Sequence, residues 1–295
     1  MNASSVPASS PRIRLLVLDV DGTVTDARHE IPAATRQAVQ RVRQAGVRVM
    51  LATGRRYRDT LPVAAALGID APLVTASGAL VKAPPTHATL HRAAFAPGVL
   101  EQVVGMIVAA GHEPVLYTDS YAEGFDFHCR QCDLPPAGEP RRGLEEYLAR
   151  NAGLARVQPD LHEAVPSGVF AGFAMGPHEE MTALEATLNG TFPDQVSVHV
   201  IRSPRYRDWL CEIAPTGVTK WSGIMAVARE WGLGAAEICA VGDDVNDLPM
   251  IRAAGLGVAM GNAVAEVQAA ADRVVGTSDA AGIADVAELL LAGLA

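Results

Sequence analysis

The chain has 295 residues, of which 49% are hydrophobic, and this length suits one large or two ordinary globular domains. Acidic residues outnumber basic ones by 33 to 24, and the resulting formal charge of −9 argues against broad nucleic-acid binding. No apolar run approaches the ~18 residues that a membrane-spanning helix requires, and the N-terminus lacks the features of a secretory signal. A local positive site on such an acidic protein can still bind a small anion.

The four cysteines favour a reducing, cytoplasmic compartment, because secreted domains of this kind usually carry more disulfides. Cys129 and Cys132 form a single CxxC pair, with no second pair and no surrounding βαβ redox pattern. This isolated pair favours two free thiols over a zinc site.

The first elements alternate between strand and helix patterns. After an expected disordered tail over 1–11, "IRLLVLDV" is a short apolar run, typical of a strand buried on both faces. A helical pattern follows, with Pro32 near its start and Gly46 at its end, and then come a second strand, a helix and a third strand. This order predicts βαβ units with a mostly parallel, Rossmann-like sheet.

The middle of the chain interrupts this order. Proline and turn residues follow the third strand, and the strands up to about Pro204 are expected to pair with their neighbours. We therefore predict an α/β fold whose catalytic core spans 12–83 and 205–295, with an inserted α+β cap over 84–204. The cap is expected to act as a substrate lid, with hinges near Lys82–Pro85 and Ser203–Arg205.

Polar residues follow three of the apolar strands. They are Asp19 and Asp21 after the first strand, Thr53 and Arg55 after the second, and Asp243, Asp244, Asn246 and Asp247 after "EICAVG". Ligands of open α/β sheets bind beyond the carboxyl ends of the strands, so these side chains are expected to converge on one crevice.

Clustered aspartates repel one another, and a site that packs them together usually holds a hard cation such as Mg²⁺. A carboxylate such as Asp19 can also attack a phosphoryl group, and Asp21 could then act as general acid and base. The Thr53 hydroxyl, the Gly54 amide and the Lys220 ammonium are suitable donors to phosphoryl oxygens. Taken alone, Lys220 is typical of a solvated surface lysine and Thr53 of a helix N-cap.

Four motifs, "DVDGT", "TGR", "GVTK" and "GDDVNDLPM", resemble in this order the motifs of the haloacid dehalogenase superfamily of phosphotransferases. The later "GVAMGNA" and "GIA" are similar to its Cof-type subgroup, which has a large α+β cap. The resemblance implies that Asp19 is the nucleophile and a Mg²⁺ ligand, and that Asp21 is the acid/base with its carbonyl on the metal. It also implies that Asp243 ligates Mg²⁺ and that Asp247 supports the metal shell or orients Lys220.

The same resemblance implies the substrate-binding residues. Thr53 and Lys220 would hold the phosphoryl oxygens, and Asn246 would contact phosphate or Lys220. Gly54 and Arg55 complete the predicted substrate-binding set. One departure from the subgroup is Asp244, which stands where asparagine is frequent and is expected to face solvent.

These features predict a Mg²⁺-dependent phosphatase, a phosphoric monoester hydrolase that acts through an aspartyl-phosphate on a small phosphorylated metabolite such as a sugar phosphate. One alternative is a phosphosugar mutase of the phosphomannomutase type, because the same motifs serve both reactions. A second alternative, from another class, is a non-catalytic phosphate-binding regulator. No nucleic-acid or membrane partner is expected, and the oligomeric state stays open.

Overall fold

A computed structural model of the chain describes residues 13–132, 142–203 and 206–293, so the predicted tail over 1–11 lies outside it. The described strands are β1 (Leu15–Leu18), β2 (Arg48–Leu51), β3 (Leu73–Thr75), β4 (Leu80–Ala83), β5 (Ala88–Arg92), β6 (Val115–Thr118), β7 (Phe127–Cys129), β8 (Ala155–Val157), β9 (Val169–Gly176), β10 (Val196–Arg202), β11 (Trp209–Pro215), β12 (Ile238–Gly242), β13 (Leu256–Ala259) and β14 (Arg273–Val274). The described helices are α1 (Ala33–Gln44), α2 (Tyr57–Leu67), α3 (Val99–Ala109), α4 (Arg142–Asn151), α5 (His178–Thr191), α6 (Lys220–Glu230), α7 (Leu248–Ala253), α8 (Ala265–Ala270) and α9 (Ile283–Ala292). Within these ranges, no helix has the length and apolar character needed to cross a lipid bilayer.

The central sheet contains five parallel strands in the order β14-β13-β12-β1-β2. β1 is buried on both faces, since alternate residues of a strand point to opposite sides of a sheet. Leu16 and Leu18 join a core cluster with α1 and α9, whereas Leu15 and Val17 join one with α6. Helices on both faces are typical of parallel sheets, and the predicted α/β class with a parallel core sheet is confirmed.

A second sheet forms the module that we call the cap. Its six strands, in the order β10-β11-β9-β6-β7-β8, are antiparallel except for the β7–β8 pair. α3 and α5 cover one face, where Val103 and Leu184 share a core cluster. On the other face, Leu148 of α4 packs with Phe173 of β9 and covers part of the sheet. The rest of that face lines a cavity whose opposite wall is formed by the strand ends of the central sheet.

Strand pairing bears on the division between core and cap. A three-stranded antiparallel sheet, β3-β4-β5, adjoins the central sheet through a bridge between Ala52 and Val74. β5 lies inside the predicted cap range of 84–204, yet it pairs with β4. β11 lies beyond that range, yet it pairs with β9 and β10 of the cap sheet. The division stays a prediction, and we propose boundaries that assign β5 to the core and β11 to the cap.

A buried ion pair joins the core to the cap. The Lys82 ammonium of β4 donates to Asp119 Oδ1 at 2.5 Å and to Thr89 Oγ1 at 2.9 Å, and the Thr89 hydroxyl also bonds to Asp119. Both charged side chains are less than one-tenth exposed. Lys82 lies in the first predicted hinge, while Pro204 and Arg205 of the second lie outside the described residues. Both hinges therefore stay predictions.

We expect Lys82→Met to destabilise the protein by about 3 kcal/mol, because it leaves the buried Asp119 carboxylate without its positive partner. Urea unfolding of the wild type and the variant measures this loss. The control is Arg252→Gln, which removes an ion pair whose two side chains are 58% and 60% exposed, and it should leave the midpoint almost unchanged. Equal midpoint shifts in the two variants would contradict the assigned role of the buried pair.

Candidate active site

The site is centred on an ion pair between Asp19 and Lys220. Asp19 directly follows β1, and its backbone N–H donates to the Val241 carbonyl at 3.0 Å, which holds it beside the end of β12. The Lys220 ammonium donates to Asp19 Oδ1 at 2.6 Å. Lys220 is the first residue of α6, and a capping box between Thr219 and Ser222 fixes where that helix begins. Both charged side chains are buried, so Lys220 is not the solvated surface lysine that its sequence context alone would indicate.

Asp247 orients this lysine from the opposite side. Its Oδ1 accepts a second hydrogen bond from Lys220 at 2.6 Å. Its Oδ2 accepts the backbone N–H groups of Asp243 and Asp244 at 3.0 and 3.1 Å. Asp247 has no exposed surface, so its two oxygens are held by these donors. Of its two predicted roles, this geometry favours the orientation of Lys220.

Asp243 completes a group of three carboxylates. It directly follows β12, and because β12 pairs in parallel with β1, the ends of the two strands bring Asp243 close to Asp19. Thr23 Oγ1 donates to Asp243 Oδ1 at 2.9 Å. One potential ligand atom from each of Asp19, Asp243 and Asp247 lies within 4.8 Å of the other two. In the described part of the chain, this is the sole group of three or more His, Cys, Asp or Glu residues with such spacing.

Burial and mutual repulsion disfavour the ionised forms of these carboxylates. Burial raises the pKa of Asp19 well above its usual value; Lys220 lowers it, and Asp247 and Asp243 raise it further. Burial also raises the pKa of Asp243 to about 7, against the lowering effect of the Thr23 hydrogen bond. When all three carboxylates are ionised, the one ammonium of Lys220 leaves an excess of negative charge. A divalent cation that prefers oxygen ligands would balance this excess.

Gly22 provides the space that Asp243 occupies. Its φ of +79° lies in the left-handed region, where residues with a side chain are disfavoured. A Cβ atom at this position would lie 2.2 Å from Asp243 Oδ2, which is far inside van der Waals contact. Asn262 adds a further link, since its side-chain amide donates to the Gly22 carbonyl at 2.8 Å. The backbone turn after Asp21 is therefore shaped around the Asp243 carboxylate.

The Asp21 side chain points to a different partner, Arg55. The Arg55 guanidinium donates to both Asp21 oxygens, at 2.7 and 2.5 Å. His29 Nδ1 lies 3.4 Å from Asp21 Oδ1. Burial lowers the pKa of Arg55, but the hydrogen bonds and charge of Asp21 outweigh it and raise the pKa overall. Asp21 thus lines the crevice beside the three carboxylates while Arg55 holds its side chain.

The other predicted substrate-binding residues lie around the same strand ends. Thr53 is buried, and its hydroxyl oxygen accepts the Arg55 backbone N–H at 3.1 Å. Gly54 and Asn246 both line the crevice, and the Asn246 amide nitrogen lies 3.8 Å from where a Gly54 Cβ would stand. Asp244 is exposed, as expected, and its carboxylate accepts the Val245 N–H. The nine predicted site residues therefore all surround one edge of the central sheet.

A cavity of about 730 Å³ separates this edge from the cap. Its cap wall consists mainly of aromatic and apolar side chains, together with one acid, Glu212, and one guanidinium, Arg202; the aromatic and apolar members include Tyr117, Tyr147, Phe173, Met175 and Leu210. Of the aromatic residues in "YTDSYAEGFDFH", Tyr117 reaches the cavity, whereas Tyr121 packs edge-on against Tyr57, and Phe127 lies in the cap core.

Three residues of the site were not singled out from the sequence. Thr23 lies inside the motif "DVDGT", and its hydroxyl-bearing side chain was the only available signal for its bond to Asp243. Asn262 lies in "GVAMGNA", whose pattern indicated the subgroup without indicating a role for the amide. Glu212 is the single acid in "WLCEIAP", and a carboxylate within an apolar strand is a signal that could have identified it.

The CxxC pair lies in the cap and away from this crevice. The Cys129 and Cys132 sulfur atoms lie 3.6 Å apart, and both residues are free cysteines. Burial, together with Cys132, raises the pKa of the Cys129 thiol. A raised thiol pKa is typical of an inert structural cysteine rather than of a reactive one.

Residues 16–286 match the family of haloacid dehalogenase-like hydrolases. The stress response protein YhaX of Bacillus subtilis is 30% identical over 92% of this chain and 91% of its own length. The 5-amino-6-(5-phospho-D-ribitylamino)uracil phosphatase YitU of the same organism is 26% identical over 92% of this chain and 94% of its own length. A crystal structure of a haloacid dehalogenase-like hydrolase from Bacteroides thetaiotaomicron matches with a TM-score of 0.75 and 25% identity, over 95% of this chain and all of that one. The family predicted from the motifs is confirmed, and the chain belongs to the haloacid dehalogenase-like hydrolases.

Proposed function

We propose that the protein is a Mg²⁺-dependent phosphatase that hydrolyses a small phosphorylated metabolite through an aspartyl-phosphate on Asp19. The class of enzyme, a phosphoric monoester hydrolase, agrees with the family and with relatives that are named as phosphatases. The observation that carries the finer proposal is the position of Asp19. It lies at the strand end with Lys220 at 2.6 Å and with Asp243 close enough to share one cation.

The donor set fits magnesium. It offers carboxylate oxygens, which Mg²⁺ prefers, and the excess of negative charge described above requires a cation of higher charge than one ammonium. Asp19, Asp243 and the Asp21 carbonyl would hold the ion. When bound, Mg²⁺ would offset charge on the phosphoryl oxygens and on the carboxylates.

Two displacements account for hydrolysis. In the first, an Asp19 oxygen bonds to phosphorus, the bond to the leaving oxygen breaks, and that oxygen takes a proton from Asp21. In the second, Asp21 takes a proton from a water molecule whose oxygen bonds to phosphorus, which releases phosphate and restores Asp19. Lys220 donates to the phosphoryl oxygens as negative charge moves onto them.

Asp21 has to leave Arg55 for part of this cycle. A carboxylate that accepts two hydrogen bonds from a guanidinium is held ionised and cannot protonate a leaving group. When Asp21 turns toward the leaving oxygen, Arg55 becomes free to bind phosphoryl oxygens, as its predicted substrate-binding role requires.

The crevice supports a small metabolite as substrate. A volume of about 730 Å³ is within the usual range of ligand pockets. Donors at the strand ends would contact the phosphate group of an ester, and aromatic side chains on the cap wall would contact its leaving group. The name of YitU refers to a phosphorylated ribitylamino-uracil, and a substrate of similar size would fit this crevice.

Asp19→Asn should lower the release of inorganic phosphate from phosphate esters at least ~1000-fold, because the amide is not a nucleophile. A panel of sugar, nucleotide and cofactor phosphates with Mg²⁺ measures this loss. Asp244→Asn is the matched control, since Asp244 is exposed at the same loop and an amide oxygen can replace its bond to Val245. Phosphate release by the Asp19→Asn variant at the wild-type rate would disprove the nucleophile assignment. An isomerised sugar phosphate in place of free phosphate would favour the mutase.

Gly22→Ala should weaken Mg²⁺ binding tenfold or more, because the new methyl group would displace the Asp243 carboxylate. Titration calorimetry with Mg²⁺ measures the change. The matched control is Gly46→Ala, which has the same left-handed backbone (φ +85°) but open space around its Cβ. Gly46→Ala should cost about 1 kcal/mol of stability from its backbone conformation alone, and Gly22→Ala should cost more because of the added clash, while only Gly22→Ala should affect the ion. Equal Mg²⁺ affinity in the two variants would contradict the proposed site.

A further inference from the structure

Glu212 lies opposite the catalytic carboxylates, on the cap side of the crevice. It is in the middle of β11, where Cys211 and Ile213 point to the other face of the sheet and join the cluster under α3 and α5. Glu212 therefore faces the cavity, and it lines the same cavity as Asp19. Its cross-strand neighbour on β9 is Phe173, which lines the cavity as well.

The Glu212 carboxylate has no bonding partner among the described residues. No described side chain or backbone N–H donates a hydrogen bond to it, and no described cation lies within ion-pair distance. Burial raises the pKa of Glu212 to about 7, and Lys220 is the charge that acts against this rise. The side chain is half-buried and open to the cavity, so its acceptor oxygens are available to the O–H or N–H donors of a bound ligand.

The surroundings of Glu212 define what such a ligand must be. The hydroxyl groups of Tyr117 and Tyr147 lie 3.2 Å apart in a hydrogen bond. Burial, with a smaller contribution from the charge of Glu212, raises the pKa of Tyr117 to about 12. Phe173 and Leu210 add apolar surface on the same wall. A leaving group that fits here has apolar faces and O–H or N–H donors at its edge.

Two guanidinium groups line this side of the cavity, those of Arg56 and Arg202, and neither forms an ion pair with Glu212. Arg56 donates to Asp59 at 2.8 Å and to Asn151 at 2.8 Å, and its third nitrogen lies 3.7 Å from Asp126. Two carboxylates already balance this cation, so it offers little attraction to a second anionic group. Arg202 is exposed at the end of β10, where its cross-strand neighbour is Trp209, three residues from Glu212. Glu212 is thus a carboxylate without a bonded cation on the cap side, whereas the strand ends carry the donors for phosphate.

We propose that Glu212 is a specificity-determining residue, which accepts hydrogen bonds from the hydroxyl or amine groups of an uncharged or cationic leaving group and excludes leaving groups that carry a carboxylate or a second phosphate. The inference rests on the proposed phosphatase function. Hydrogen bonds to an ionised acceptor are stronger than neutral ones, and a like charge placed against a sheltered carboxylate is strongly disfavoured. A phosphate ester of a polyol, sugar or amine-bearing ring meets these requirements.

The test compares kcat/KM for glucose 6-phosphate, whose leaving group carries hydroxyl donors, and 3-phosphoglycerate, whose leaving group carries a carboxylate. The wild type should favour glucose 6-phosphate at least tenfold. Glu212→Gln should lower kcat/KM for glucose 6-phosphate about tenfold and raise it for 3-phosphoglycerate about tenfold. Changes of opposite sign cannot come from a general loss of structure. Glu230→Gln, at an exposed position at the end of α6, is the control and should change neither value.

Two outcomes would overturn the role of Glu212: a fall of both values together in the Glu212→Gln variant, or no change in either. Thermal unfolding adds a second readout, because removing an unpaired sheltered charge should leave the melting temperature unchanged or raise it.

The phosphatase function has a separate test in the wild type. If wild-type protein with Mg²⁺ released no phosphate even from p-nitrophenyl phosphate, the proposed function itself would fail, whatever the substitution at Glu212 did.

Discussion

The Lys220 ammonium, held between Asp19 and Asp247, is the interaction on which the rest of the site depends. It joins the end of β1, the start of α6 and the loop after β12, which are far apart in the sequence. A buried charge is tolerated only when it is paired and hydrogen-bonded, so each member requires the other two. The same contacts that stabilise this edge of the sheet therefore place the proposed nucleophile.

Negative charge in excess of that one ammonium is the second constraint. Asp243 adds a third carboxylate, and Gly22 leaves room for it by adopting a conformation that other residues avoid. Such a cluster does not stabilise the fold by itself, because burial and mutual repulsion disfavour the ionised carboxylates and raise the pKa values of Asp19 and Asp243. A bound cation is the compensation that we propose. Local features that oppose stability are typical of functional sites.

The convergence of Asp19 and Asp243 could be predicted because it follows from a general property of parallel sheets. Two apolar runs that form neighbouring parallel strands must end at the same edge, whatever lies between them in the chain. The division between core and cap was less predictable. β5 and β11 pair with strands on the other side of the predicted boundaries, and composition does not reveal which strand will bond to which. Glu212 was missed for the same reason, since its position depends on a pairing between distant segments.

The assignment of β11 to the cap sheet has a consequence for any chimera built from this protein and a relative. A junction at 204/205, where the composition changes, would transfer the inserted module without its own strand β11 and leave Glu212 behind. A junction after Pro215 would carry the whole sheet, and only four residues would then separate the transplanted part from Lys220. In this chain, the strand that we propose to contact the leaving group of the substrate and the helix that we propose to bind its phosphate are consecutive.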